Sequence, residues 1–235
     1  MGQDTEKYEK LLKEYDQFAY IVSHDLRAPI RQIKGFTDLF VKSLGEDLTE
    51  QQETYKEMID HVISDADKTL DALLEYSRIA TSEKCFEELD LNEVVSQALE
   101  ELKDNLGHSE FDITVEDMPE VYGDPDLLKS LFVYALDNAV KFQPPGQRPR
   151  IKVFMEGRDG ENVFTISDNG IGIDPKFAEG AFTIFRTLNA RALYEGGGAG
   201  LACAKKIVDV HEGEIWIDSA LEEGVRLSFT LGLQH

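Results

Sequence analysis

The chain has 235 residues, 42% hydrophobic and 30% charged, with 24 Lys and Arg against 46 Asp and Glu for a formal net charge of −22. So acidic a chain is repelled by nucleic acid and anionic lipid, which excludes both as expected partners; any phosphate it binds needs a local exception, with a metal ion to help. Only Cys85 and Cys203 are present and no apolar run approaches ~20 residues, which excludes a disulfide framework and a membrane span and points to a reducing, cytoplasmic setting.

The opening "MGQDTEKYEK" has no signal-peptide layout and moves straight into helical periodicity, as expected of a segment of a longer chain. From Tyr8 to Leu44 apolar positions recur in steps of three and four, well past an ordinary globular helix. In "GEDLTEQQ", Gly45 stops that helix, and Thr49 with Gln52 three residues on can cap the next, whose pattern runs from Tyr55 to about Thr81. Two long antiparallel helices are predicted. A lone hairpin would leave its apolar stripe wet, so two copies are expected to pair as a four-helix bundle, a homodimer. The predicted domains are residues 1–82 for the hairpin and 83–235 for the remainder.

After the hairpin the periods mix. "FEELDL" leads into a helix from Asn92 to about Leu106, and "FDITV" reads as a strand. "GDPDLLKSLFVYALDNAVKF" predicts a helix opening at Asp124 with Pro125 in its first position. "IKVFMEG" and "NVFTISD" are strands joined by "RDGE"; a glycine-rich stretch opens the helix "LACAKKIVDVH"; "GEIWIDS" and "GVRLSFTL" pair as strands. This order predicts an α/β sandwich, one sheet with helices on one face.

Chemistry concentrates at two places. In "FAYIVSHDLRAPIRQIKGF", Asp25 can hydrogen-bond one ring nitrogen of His24 and so fix the tautomer in which the other presents a lone pair. Pro29 has no N–H for the Asp25 carbonyl and should bend the helix at a cost of about 3 kcal/mol, making room beside the histidine. Arg27 adds positive charge for an incoming anion. A nucleophilic histidine is the reading, and it needs an electrophile.

The second place supplies one. "DNGIGI" follows a strand, where Asp168 can accept from an exocyclic amine while Gly170 and Gly172 let backbone approach a flat ring. "GGGAGL", Gly196 to Leu201, opens a helix and offers a phosphate cradle. Asn138 and Lys141 share a helical face, an amide oxygen for Mg²⁺ and an ammonium for phosphate.

The "SHDLRAP" stretch resembles the phosphoacceptor box of sensor histidine kinases. "LDNAVKF", "DNGIGI", "FAEGAFTIF" and "GGGAGLACAKKIVDVHEGEIWIDS", in this order, resemble the asparagine, first glycine, phenylalanine and second glycine boxes of the GHKL ATP-binding domain. With the hairpin, the resemblance covers essentially residues 8 to 231, closest in flavour to phytochrome-like and hybrid kinases. It implies ATP-dependent phosphorylation of His24, with Asp25 and Arg27 assisting, and transfer to an aspartate of a response-regulator receiver domain. It further implies that Asp168, Gly170 and Gly172 hold adenine, that Asn138 holds Mg²⁺, and that Lys141 contacts phosphate. Gly196, Gly198, Gly200 and Leu201 would form the lid hinge, and Arg186 or Arg191 would reach the γ-phosphate.

Five positions depart from that pattern. Tyr134 stands where the family commonly has a second asparagine, Gly197 and Ala199 alter the lid, and Glu212 replaces the first glycine of an "HGG" turn, with no functional consequence expected. Ala28 lacks the hydroxyl or amide that positions water in phosphatase-competent relatives, so phosphatase activity by that route is expected to be weak. The alternative reading is a catalytically weak or inactive pseudokinase serving as a dimeric scaffold.

Overall fold

The structure is a computed structural model that describes residues 2–45, 47–106, 111–158, 160–184, 198–221 and 223–232. The chain divides into two compact units, Met1–Thr81 and Ser82–His235. The division falls one residue before the boundary expected from the sequence.

The first unit is a helical hairpin of α1 (Gly2–Ser43) and α2 (Glu50–Thr81). Gly45 follows α1 at φ +99°, the left-handed stop that a residue without Cβ adopts freely. At the start of α2 the expected box forms reciprocally. The Thr49 N–H donates to Gln52 Oε1 at 2.8 Å, and the Gln52 N–H donates to Thr49 Oγ1 at 3.3 Å. Ala19 and Ser23 on α1 are buried, as are Ile63, Leu70, Ser77 and Ile79 on α2, and the small residues among them suit close helix approach. Phe18, Ile33, Phe36 and Phe40 of α1 and Met58 and Val62 of α2 stay exposed, a far larger apolar face than scattered surface residues make. Helix α1 runs unbroken through Pro29, so the proline removes one ladder bond without ending the helix.

In the second unit, β1 (Glu87–Asp90) pairs antiparallel with β3 (Glu120–Gly123), and α3 (Leu91–Leu106) and β2 (Asp112–Val115) lie between them in sequence. Then come α4 (Pro125–Lys141), β4 (Arg150–Arg158), β5 (Glu161–Ser167), α5 (Gly200–Val210), β6 (Ile215–Ser219) and β7 (Val225–Phe229). Two 3₁₀ turns, Pro175–Phe177 and Glu179–Phe182, precede α5. The main sheet has the order β2-β4-β5-β7-β6; β2 and β4 are parallel, and the other pairs antiparallel. The expectation of one sheet is therefore corrected: the β1–β3 ribbon is a second, separate sheet. Its strands are four residues long, and "EELD" has one apolar residue, so there is no alternation to read. Their pairing comes from a partner some thirty residues away.

Strand β5 is buried on both faces over Val163–Ile166. Phe164 stacks on Phe229 at 5.4 Å between ring centroids, and Phe132 of α4 meets Phe229 edge-on at 5.9 Å. On the opposite face the Thr165 and Ser228 hydroxyls hydrogen-bond at 3.0 Å, which satisfies two buried polar groups. Helix α4 packs against both α3 and α5 and contacts β4 and β5. Leu128, Leu131, Phe132 and Leu136 are the fully buried heart of that helix layer.

Glu212 adds a point the sequence reading did not foresee. It follows the C-cap of α5 at φ +56°, and it alone among the described non-glycine residues has positive φ. A side chain there costs about 1 kcal/mol or more where glycine would sit without strain. We predict that Glu212→Gly stabilises the second unit by about 1 kcal/mol, raising its melting temperature by roughly 2–4 °C in calorimetry. An unchanged or lower temperature would contradict this.

Candidate active site

On the hairpin, His24 and Asp25 are neighbours on the solvent-facing side of α1, with side chains 68% and 71% exposed. His24 Nδ1 lies 3.1 Å from Asp25 Oδ1. A carboxylate only accepts, so the ring proton belongs on Nδ1 and Nε2 is left with its lone pair outward. The rings of Tyr20, one helical turn earlier, and His24 stack at 6.2 Å between centroids. Arg27 sits elsewhere than the sequence suggested: its guanidinium is ion-paired across the hairpin with Asp71 of α2. The pair is partly solvated and worth at most about 1 kcal/mol, so Asp71 holds Arg27 only loosely.

In the second unit, three backbone segments converge on Asp168 at the end of β5. Its Oδ1 accepts from the Gly170 N–H at 2.7 Å and the Val225 N–H at 3.2 Å. Its Oδ2 makes no hydrogen bond to any described residue, so one carboxylate oxygen is fixed and the other can accept from a ligand. Burial raises the carboxyl from 3.8 to about 6, and the hydrogen bonds from Gly170 and Val225 only partly offset that.

The glycines here are required by close approach. A Cβ on Gly170 would lie 2.3 Å from the Phe142 carbonyl oxygen at the end of α4; on Gly172, at φ +70°, it would lie 1.9 Å from the Ala220 oxygen. A Cβ on Gly224, in the β6–β7 turn, would lie 2.1 Å from the Asp168 oxygen. Gly224 was not foreseen: in "EEGVRL" it reads as an ordinary turn glycine, and only the fold brings that turn beneath Asp168. Ser219 was missed too. Its hydroxyl accepts from the Ile173 N–H at 2.8 Å and donates to the Gly224 carbonyl at 2.6 Å, tying the glycine loop to the same turn. Asn169 braces the loop from outside, accepting at Oδ1 from the Arg150 N–H at 2.8 Å.

Helix α4 connects this pocket to the start of α5. Asn138 Nδ2 donates to the Tyr134 carbonyl at 2.8 Å, which leaves Oδ1 as the acceptor end of the amide. A Cβ on Gly200 would lie 3.4 Å from Asn138 Nδ2 and 3.7 Å from Tyr134 Cβ, so the first turn of α5 lies directly on Asn138 and Tyr134. Helix α5 opens at Ala199 without a side-chain cap, and Gly198 before it has φ +65°. Lys141 pairs with Asp137 at 2.6 Å in an exposed i,i+4 contact. The structure thus gathers Asn138, Gly200, Leu201, Asp168 and Gly170 around the C-terminal half of α4. Arg186, Arg191 and Gly196 lie outside the described residues.

These residues fit a magnesium nucleotide. A buried carboxylate with a spare acceptor oxygen suits an exocyclic amine, and an uncapped helix start favours phosphate. Among the described residues no group of three or more His, Cys, Asp or Glu could hold a metal ion. A cation at Asn138 Oδ1 would therefore draw its remaining oxygens from phosphate and water.

Comparison with known proteins gives the same division of the chain. Residues 14–82 match the His Kinase A (phospho-acceptor) domain, and residues 123–235 match the histidine kinase-, DNA gyrase B- and HSP90-like ATPase family. The phytochrome-like protein Cph1 of Synechocystis sp. is 34% identical over 98% of this chain, which spans 31% of that protein. The methanogenesis regulatory histidine kinase FilI of Methanothrix harundinacea is 32% identical over 93% of this chain, 24% of its own length. The chain thus spans about a third or less of these relatives. The solved mycobacterial sensor histidine kinase MprB is 30% identical, with a TM-score of 0.52 over 63% of this chain and 97% of that one. With a phosphoacceptor hairpin followed by a GHKL-type α/β domain, this chain belongs to the sensor histidine kinase family.

Proposed function

We propose that the chain is an ATP-dependent protein-histidine kinase core that phosphorylates His24 and passes the phosphoryl group to an aspartate of a response-regulator receiver domain. The observation that carries this is the His24–Asp25 pair, exposed and with its ring proton on Nδ1, in the same chain as a buried carboxylate, Asp168, that keeps one oxygen spare.

In the tautomer that Asp25 favours, the lone pair of His24 lies on Nε2. That lone pair attacks the γ-phosphorus, the N–P bond forms as the bond to the β–γ bridging oxygen breaks, and ADP leaves with that electron pair. Positive charge grows on the ring, and Asp25 beside Nδ1 stabilises it. Asp168 Oδ2 accepts from the adenine amine, and Gly170 and Gly172 let the backbone segments that shape this site pack closely. Asn138 Oδ1 would hold Mg²⁺, which would supply neutralisation of phosphate charge. Lys141, held only by a solvated pair with Asp137, can turn to a phosphate oxygen, as Arg27 can turn from Asp71 to the arriving phosphoryl group. Gly198 and Gly200 flank the start of α5 as hinge points of the phosphate cradle, with Leu201 in its first turn. Tyr134 offers no amide oxygen, so Mg²⁺ coordination rests on Asn138.

Pairing of two hairpins through the exposed apolar faces of α1 and α2 would form the dimer. Among the described residues no helix is long and apolar enough to cross a membrane, and we place the kinase on the cytoplasmic side, where ATP is available.

Incubation with γ-labelled ATP and Mg²⁺ is expected to give base-stable, acid-labile label on the wild type and none on His24→Ala. Asn138→Ala should lower the rate roughly 100-fold, and Asp25→Ala about as much with KM for ATP unchanged. An unlabelled wild type would leave only the scaffold reading. Phe36→Asp with Val62→Asp should convert a dimer to monomer in sedimentation equilibrium; an unchanged mass would show that the pairing surface lies elsewhere.

Asp168 sets a pH dependence of unusual sign. Between its unfolded value of 3.8 and its folded value of about 6, the native state holds a proton that the unfolded chain releases. At this group, acidification from pH 7 towards 4 therefore stabilises the empty protein, opposite to the usual carboxylate. Nucleotide affinity runs the other way and should fall as pH drops through about 6, because the proton adds to Oδ2, the oxygen that must accept. Asp168→Asn should raise the melting temperature of the empty protein at pH 7.5 while weakening nucleotide binding at least tenfold. Its amide oxygen can serve Gly170 and Val225, but its NH₂ then faces the adenine amine, donor against donor. A variant less stable than wild type, or of equal affinity, would contradict this.

A further inference from the structure

One buried titratable group takes no part in the proposed chemistry. His211, the C-cap of α5, is completely buried. Its Nδ1 lies 2.8 Å from the Ile207 carbonyl, and its Nε2 lies 3.0 Å from the Asp124 backbone nitrogen. A backbone N–H only donates, so Nε2 must be unprotonated and the ring neutral, with its proton on Nδ1. Burial pushes the histidine below its ordinary pKa, against weaker opposing effects of the Ile207 carbonyl and Asp124; Lys84 lowers it further.

Asp124 extends the connection in two directions. Its Oδ1 accepts from the Leu127 N–H at 3.0 Å and caps α4, while its Oδ2 accepts from the Cys85 N–H at 2.8 Å. Cys85 lies between the end of α2 and β1. The next residue, Phe86, sets its ring edge against His211 at 5.1 Å and stacks on Tyr122 at 6.0 Å. Gly123 makes the approach possible, since a Cβ there would lie 2.6 Å from Leu128 Cδ1 and 3.1 Å from His211 Nε2. The Gly232 N–H donates to the His211 carbonyl at 3.0 Å. Three segments meet at the imidazole, the connector after the hairpin, the start of α4 and the end of α5, and the chain beyond β7 joins the same residue through its backbone carbonyl.

Helices α4 and α5 run past each other with two tie points. At one end His211 meets Asp124; at the other, the first turn of α5 rests on Asn138 and Tyr134. From Asp124 to Asn138 the helix rises about 21 Å. The residues that clamp the connector are thus rigidly linked to those at the nucleotide end.

Resting on the kinase reading above, we propose that the Cys85–Asp124–His211 clamp confines the hinge between hairpin and nucleotide domain to Ser82–Lys84, which makes His211 a positioning residue for phosphoryl transfer. Three residues span at most about 10 Å, so the clamp sets how far the nucleotide-bearing unit can swing from the end of α2. A clamp released through Phe86 would lengthen the tether and separate the motion of the hairpin from that of α4 and α5.

Site-resolved amide exchange on the full chain tests the clamp. In the wild type, Glu83 and Lys84 should exchange near the rate of unstructured peptide and Cys85 at least tenfold more slowly. His211→Phe, which keeps an aromatic ring and removes both side-chain hydrogen bonds, should bring Cys85 to the hinge rate with helical circular dichroism retained. Should that variant not fold, Phe86→Ala should still speed Cys85 exchange at least threefold. A Cys85 amide as fast as Glu83 in the wild type overturns the clamp, as does protection that survives whichever of the two variants folds. Stiffening the hinge with Ser82→Pro and Glu83→Pro should slow His24 labelling at least tenfold at unchanged nucleotide affinity, measured by titration calorimetry with a non-hydrolysable ATP analogue. Labelling at the wild-type rate, or a matching loss of affinity, overturns the hinge assignment. A wild type that never labels His24 defeats the kinase reading instead and leaves the exchange measurement to decide the clamp.

Discussion

The nucleotide half of this protein depends on backbone segments meeting more closely than any side chain allows. Gly170 lies on the end of α4, Gly172 on the chain beyond β6, and Gly224 beneath Asp168. These contacts hold the carboxylate of Asp168 where two N–H groups fix one oxygen, and they bury it deeply enough to raise its pKa to about 6. The cost of keeping a charged acceptor there falls on the folded domain, and the pH dependence and Asp168→Asn measurements decide whether a ligand offsets it.

The hairpin follows a different logic. Its helices bury little against each other, mostly small and aliphatic residues, and leave large apolar side chains in water. Its reactive pair needs no burial: adjacent residues on one exposed turn suffice to set the tautomer of His24. Its cations are likewise held in solvated pairs, Arg27 by Asp71 and Lys141 of the other unit by Asp137, which cost little to exchange for phosphate. In a chain of net charge −22, such loosely committed cations are a local exception that phosphate binding requires.

Local rules made the elements legible. The Thr49–Gln52 box, the Asp124 cap with Pro125 behind it, and the Gly45 stop each depend on residues within one helical turn, and each forms as its spacing predicts. Glu212 shows the limit of reading by pattern. As a letter replacing glycine it looked inconsequential, yet its φ of +56° makes it the strained point of the α5 exit. The β1–β3 ribbon was unreadable for the opposite reason: four-residue strands carry almost no periodic signal, and their stability comes from a partner distant in sequence.

The sequence alone determined the long hairpin, the order of helices and strands, and the chemical types of the candidate site residues His24, Asp25, Asn138 and Asp168, because periodicity, caps and short motifs are local. Only the tertiary structure decided that Arg27 turns to Asp71, that Gly224 and Ser219 support the Asp168 loop, and that His211 joins four segments at one buried residue. Those facts depend on distances between residues up to 87 positions apart, set by packing and hydrogen-bond satisfaction across the whole domain, which no short window of sequence contains.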